Sequence, residues 1–495
     1  MKLGYLTFED VIEVSFNKKK LEAVNEKKYD EEAKTLEVLS SKQTIYGVNT
    51  LLGELANEKR SADKIDPKEI LRMHSVGVGK QSKPEWVRAA MLIRANQLAQ
   101  GHSAVRGSLI NHILNLLNKN IIPYVPELGS VGASGDLIPL AHIGLALAGE
   151  GKVVVNGKVL ESKEAFEREG LKPYEPNIKE ALALINATSF SAGVFAVELY
   201  RSLNFLISSL ISSILILEAS RGSLAPNSKA VNAIKRHKGS YLISEIIESS
   251  TSDSRRLNGS QRVQDPYSIR CSSQLLGAAL DSIAWAKKNL EAEINSSSDN
   301  PVLLNGSFVS TCNFHGQYIA YSSDLVREAV SALINLEERR SSQLLRKEIN
   351  GFMDHLGEAG GVGYMLMQYA SAALSALGRQ LSSPATVNNI PTSGLQEDVV
   401  SMSYNSAYLL SQLNDIAFRA ASISLMLEYL ALKKDDCFGC GKVSTFIYRF
   451  IERTFKKDLS EAIEGLSSKI NELNERFLEM NGLSFSKIFK KLEEK

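Results

Sequence analysis

Cysteine is scarce in this 495-residue chain, with four in all. That excludes a disulfide framework, and the sparseness fits a reducing cytoplasm. Net charge is nearly absent as well, since 57 lysines and arginines stand against 56 aspartates and glutamates. Such a balance excludes a protein that holds nucleic acid or a membrane surface by bulk electrostatics. No apolar run is long enough to span a bilayer. The most apolar stretch, Ser202 to Leu217, has sixteen residues between Arg201 and Glu218 and falls short of the roughly twenty that a span needs. It reads as a buried central helix. The opening Met1-Lys2-Leu3-Gly4-Tyr5-Leu6-Thr7 runs at once into Glu9 and Asp10 and is not expected to be a signal peptide. The seven histidines include no pair at helical spacing, and Cys437-Phe438-Gly439-Cys440 is a lone CxxC. No metal site is therefore expected, and the CxxC reads as a turn connecting helices.

Strand signals are few. Val153-Val154-Val155-Asn156-Gly157-Lys158-Val159-Leu160 and Val302-Leu303-Leu304-Asn305-Gly306-Ser307-Phe308-Val309 each read as a hairpin about an Asn-Gly turn. Helical periodicity dominates the rest. Residues 1–40 are rich in charge, with Leu6, Phe8, Val11 and Ile12 as apolar anchors, and 64–118 read as successive amphipathic helices, Trp86 to Gln100 the clearest. Long helices are predicted over 189–219, 272–292, 316–347, 362–381, 400–431 and 443–475. The polar stretch Glu248 to Gln264 reads as a mobile loop able to cover an active site, and Lys490 to Lys495 as a solvated tail. The fold class is mainly α: a smaller N-terminal domain over 1–185, then an elongated helical bundle over 186–495.

The most informative stretch is Gly129-Ser130-Val131-Gly132-Ala133-Ser134-Gly135-Asp136-Leu137-Ile138-Pro139-Leu140-Ala141-His142. Small residues crowd its first half. An apolar helix follows, with Asp136 as N-cap, Pro139 in the first turn, and Gly149 and Gly151 at the end. By itself this fits a glycine-rich turn. It does not fit a phosphate cradle, whose glycine spacing differs and whose feeding strand Pro123 and Pro126 would spoil. Nor does it fit a serine elbow, because Asp136 stands where glycine is required. The glycine-rich turn stays open beside a sharper reading, self-processing, which the family resemblance below makes specific. Gly135, lacking Cβ, lets its nitrogen approach the Ala133 carbonyl, and Ser134 carries a hydroxyl that can leave as water.

GSVGASGDLIPLAH resembles the signature of the histidine, phenylalanine and tyrosine ammonia-lyase family, and the resemblance extends over roughly residues 5–480. It implies that Ala133, Ser134 and Gly135 cyclise to a methylidene-imidazolone (MIO), an electrophile for the substrate amine, with no metal and no nucleotide. It also implies a mainly α homotetramer whose active sites each draw on three chains. Tyr46, in Tyr46-Gly47-Val48-Asn49-Thr50, takes the role of β-proton base, which requires neighbours that lower its pKa. The family usually continues Thr-Gly-Phe-Gly, where this chain has Thr50-Leu51-Leu52-Gly53. In Val263-Gln264-Asp265-Pro266-Tyr267-Ser268-Ile269-Arg270-Cys271, Arg270 offers its fork to a carboxylate, Tyr267 bonds near the electrophile and Gln264 assists. Asn186 donates to the carboxylate or to the ring oxygen, and Phe314 packs beside the substrate ring. Pro391-Thr392-Ser393-Gly394-Leu395-Gln396-Glu397-Asp398 completes the set, with Leu395 where members often have Asn.

Substrate choice is expected to rest on His74, which suits a polar ring, and on Glu397. A carboxylate accepts an imidazole N–H but faces a benzene ring as a desolvated charge. The expected reaction is conversion of L-histidine to trans-urocanate and ammonia. Tyrosine, an aminomutase activity, and a non-catalytic scaffold of the same fold are the alternatives.

Overall fold

The computed structural model describes every residue except 17, 59–65, 358–360, 456–457 and 495. Helices dominate. Among the described residues the only strands are short pairs and one three-stranded sheet. By compactness the chain divides into two units, neither of them contiguous. One comprises Met1–Glu198, Ala286–Asp324 and Pro384–Tyr408, the other Leu199–Trp285, Leu325–Ser383 and Leu409–Lys495. The sequence-based division drew a single boundary at 185/186.

In the first unit, the early anchors Leu6, Phe8, Val11 and Ile12 are buried as expected. The helix Phe8–Ser15 is closed at its start by a capping box between Thr7 and Asp10. Its apolar face meets Pro84–Leu98, which also packs on Gly107–Lys119. Three further helices, Pro67–His74, Leu137–Leu147 and Ile178–Ile185, pack against one another. Gly144 permits the crossing, since a Cβ there would lie 2.9 Å from Leu71 Cδ2. Each of these helices has an expected site residue at its end. His74 closes the first, Ser134 and Gly135 precede the second, and Asn186 caps the C-terminus of the third.

Both Asn-Gly hairpins form, with Asn156 and Gly157, then Asn305 and Gly306, all at positive φ. Two strand pairings were not foreseen: Val78–Gln81 with Pro126–Leu128, and Ile122–Pro123 with Lys152–Val155. Pro123 and Pro126 do sit in strands, contrary to the sequence reading. They are tolerated because these strands are two and three residues long and lie at sheet edges.

In the second unit, the apolar stretch after Arg201 is buried throughout. It belongs to the helix Ser189–Ser220, long and apolar enough to cross a membrane by length and composition, yet buried in the protein along its most apolar stretch. The helices Ser272–Ile294, Gln317–Leu344, Met365–Leu381 and Ser403–Lys433 fall close to their predicted positions. The helix predicted over 443–475 is instead two, Lys442–Thr454 and Leu459–Met480. Phe455 turns extended and Asp458 caps the second by accepting from Glu461 N, while residues 456 and 457 lie outside the described ones.

Two expected flexible segments are ordered by specific contacts. The stretch from Glu248 begins as the end of helix Lys238–Ser250, and then Arg256 is buried, donating to Glu218 O, Asp435 and Phe438 O. The expected solvated tail is the helix Phe485–Glu494, with Ile488, Phe489 and Leu492 buried, Lys495 lying outside the described residues. The CxxC does connect two helices, and its cysteines are joined as a disulfide. Composition could not reveal that pairing.

Candidate active site

The loop around Ala-Ser-Gly is held in a conformation that requires glycine at two of its positions. Gly132 and Gly135 have φ of 72° and 75°, and Ser134 has φ 50°. A Cβ on Gly135 would fall 2.3 Å from Ala187 O, and one on Gly132 would fall 2.2 Å from Ser401 Oγ. Backbone and serines therefore close around the loop from two sides. Ser401 Oγ donates to Gly132 O at 3.0 Å, and Met402 N donates to Val131 O at 2.9 Å.

Asp136 stands at the N-cap position but does not cap its own helix, contrary to the sequence reading. Its carboxylate accepts from Ser191 N at 2.7 Å, from Ser191 Oγ at 2.8 Å and from Ser130 Oγ at 3.1 Å. It thus satisfies the start of the helix Ser189–Ser220 and ties down the entrance of the loop. The side chain is fully buried, and that burial pushes its pKa up to about 6.

A cavity of about 230 Å³ opens beside the loop, and its wall includes Tyr46, His74, Ser134, Asn186 and Glu397. Asn186 Nδ2 donates to Ser134 O at 3.1 Å, while its Oδ1 is buried without a partner. Ser134 Oγ donates to Glu397 Oε1, and Thr392 Oγ1 donates to Glu397 Oε2 at 2.6 Å. Glu397 is therefore oriented by hydroxyls, and among the described residues no basic side chain pairs with it. His74 engages Ile70 O through Nδ1 at 2.7 Å, and among the described residues no hydrogen bond is made by Nε2. Leu52 lines the same cavity.

Tyr46 does not have the environment that sequence reasoning required. Burial raises its pKa, the Glu397 charge adds to the rise, and only the Gly53 N–H, donating to the phenol oxygen at 2.9 Å, acts the other way. Among the described residues, the groups acting on it include no cation.

The remaining expected residues lie elsewhere. Phe314 is half-buried and does not line the cavity. Gln264, Tyr267 and Arg270 belong to the second compact unit. Gln264 is exposed, Tyr267 is 71% exposed, and the Arg270 guanidinium stacks on the Tyr267 ring at 4.8 Å. Arg270 Nε is buried with no hydrogen-bond partner among the described residues. Ser268, within the same turn, accepts from Arg340 Nε at 3.1 Å. Arg340 is fully buried and paired with Glu337 at 2.7 Å. Sequence reasoning missed Arg340, Ser191, Ser401 and Thr392. These residues position others, and a serine or arginine inside a helical pattern carries no local signal of that role. Among the described residues, no three His, Cys, Asp or Glu are grouped to hold a metal.

The chain is similar to known proteins over most of its length. A probable histidine ammonia-lyase of Thermoplasma volcanium is 40% identical over 437 residues, covering 86% of this chain and 88% of that protein. A histidine ammonia-lyase of Streptococcus sanguinis is 36% identical, covering 96% of each. The crystal structure of a tyrosine aminomutase from Streptomyces globisporus superposes with a TM-score of 0.90 at 27% identity, over 96% of this chain and 97% of that one. The family model for aromatic amino acid lyases matches residues 6–443, and the chain belongs to that family as an ammonia-lyase enzyme.

Proposed function

We propose that this enzyme removes ammonia from L-histidine to give trans-urocanate, using an MIO electrophile made from Ala133, Ser134 and Gly135. The loop fits that group. Closing Gly135 N onto the Ala133 carbonyl carbon makes the Ser134 carbonyl the ring oxygen, and Asn186 Nδ2 already donates to that atom. Ala187 leaves no room for a side chain at Gly135. When formed, the group supplies an electrophilic carbon for the substrate amine.

The chain's own residues supply the rest. Asn186 stabilises negative charge gathering on the Ser134 carbonyl oxygen. Tyr46 takes the β-proton once a cation faces it. Arg270 binds the substrate carboxylate, and Tyr267 and Gln264 reach the same site. We place these three on neighbouring chains of a homotetramer, in keeping with the exposure of Gln264 and Tyr267 and the unpartnered Arg270 Nε.

Glu397 carries the choice of histidine. Its carboxylate lines the cavity, Thr392 Oγ1 holds one oxygen, and loss of the Ser134 hydroxyl on MIO formation leaves the other oxygen open to an imidazole N–H. The test compares kcat/KM for histidine, tyrosine and phenylalanine in wild type and Glu397→Gln. Histidine should lead in wild type and lose most in the variant. A lead for tyrosine, or an equal loss for all three, would refute the choice of substrate and leave the lyase chemistry standing.

A further inference from the structure

We propose that Cys437 and Cys440 form a redox clamp, opened by a dithiol reductant, that sets the order of the loop leading into the Gln264–Arg270 block. Three observations converge on it.

The first is the strain of the turn. Asp436, Cys437 and Gly439 have φ of 52°, 56° and 80°. Two of the three are not glycine, and the left-handed region is unfavourable for such residues. The disulfide closes the turn over this strained backbone, so its opening lets the backbone relax.

The second is what the turn holds. The carbonyls of Phe438 and Gly439, the two residues between the cysteines, are both acceptors for the preceding loop. Arg256 Nη1 donates to Phe438 O at 2.9 Å, and Arg255 N donates to Gly439 O at 2.9 Å. The strap continues along the loop. Asn258 N donates to Gly222 O, Ser260 N donates to Arg221 O, and Arg262 pairs with Asp265, the neighbour of Gln264. The orientation of two carbonyls thus bears on a segment that ends at the candidate substrate-binding block.

The third is access. Cys437 is buried, but Cys440 is half-buried and lines a cavity of about 580 Å³ together with Arg221, Arg255, Arg256, Asp253 and Asp435. Asp435 pairs with Arg221 and Arg256, yet three guanidiniums against two carboxylates leave this wall net cationic, which favours a cysteine thiolate as attacking or leaving group. A thiolate of the dithiol attacks the Cys440 sulfur, and Cys437 leaves as thiolate and takes a proton from solvent. The second thiol of the reductant then attacks its own mixed-disulfide sulfur and releases Cys440 as a thiolate, which is protonated. Two electrons pass from the dithiol to the protein pair, and the dithiol becomes a disulfide. In a reducing compartment, protein disulfides are typically of this responsive kind.

Dithiothreitol is the probe. Folded enzyme is titrated from submillimolar to millimolar dithiothreitol and alkylated, and the cysteine peptides are weighed, with Cys271 and Cys312 as free-thiol references. Amide exchange is followed in oxidised and reduced enzyme and in Cys437→Ser/Cys440→Ser. The pair should be reduced without unfolding. Exchange of the Arg255 amide should then rise by roughly tenfold or more, in reduced wild type and in the double variant alike. A pair that resists dithiothreitol until the protein unfolds would overturn the proposal, as would an unchanged Arg255 amide after reduction. The link to substrate rests on the proposed lyase reading and predicts a several-fold rise in KM with kcat retained. Unchanged KM alongside raised exchange would overturn that link. Exchange needs no turnover, so an inactive enzyme would count against the lyase reading alone.

Discussion

Ser134 and Glu397 lie 263 residues apart in the chain and share a hydrogen bond, the serine hydroxyl donating to the carboxylate. One end of this contact is the residue whose hydroxyl must leave to form the electrophile. The other is the residue proposed to select the substrate. Glu397 is thus held against the loop while the serine hydroxyl is still in place, and Thr392 fixes its second oxygen.

Ser134→Ala removes only the hydroxyl. Turnover should fall to background while the fold is retained, since a small residue fits the turn. The intact mass of wild type should be lower than its sequence mass by two waters, and the variant should not show that loss. Cyanide or borohydride should inactivate wild type. Full activity in Ser134→Ala would refute the MIO reading.

Tyr46→Phe and Arg270→Ala test whether sites are shared between chains. Each should be nearly inactive alone. Co-expressed, they should recover part of the activity, because some mixed sites hold both native groups. Mixed oligomers that form without any recovery would count against shared sites.

Asp136→Asn should change how stability depends on pH. The folded carboxyl titrates near 6 and the unfolded one near 3.8, so between these values the folded state holds the proton more tightly. Stability therefore falls as pH rises through this window, by on the order of 3 kcal/mol for a shift of this size. Asparagine preserves the shape without the charge. Unfolding midpoints measured from pH 4 to 6 should show wild type losing ground to the variant as pH rises. Parallel profiles would contradict the assignment. Glu293, pushed by burial to about 7, keeps the same sign of pH dependence in both proteins.

Leu395→Asn should stabilise the protein. Leu395 is held at φ 70° while its side chain is 71% exposed, so it bears backbone strain without the benefit of burial. Asparagine tolerates this region better, by about 1 kcal/mol. The unfolding midpoint should rise by roughly one or two degrees. A lower midpoint would mean that the leucine makes a contact in the assembled enzyme.

What the amino-acid order determined by itself was local. The Asn-Gly turns, the glycines and serine of the 132–135 loop and the long apolar helices follow from the preferences of neighbouring residues, which are the same in any context. Tertiary structure decided which groups meet. Asp136 looks like a cap for the helix after it, yet it serves the helix that begins at Ser189, because burial brings Ser191 closer than its own helix amides. Arg340 carries no local sign that it supports the Tyr267–Arg270 turn, and a CxxC in a cysteine-poor chain gives no sign that its sulfurs bond. Tyr46 is named by its motif, but its proton affinity is set by burial and by Glu397, 351 residues away in the chain. Local rules act through adjacent bonds, whereas charge, burial and hydrogen bonding act through space, and only the fold brings distant residues within their range.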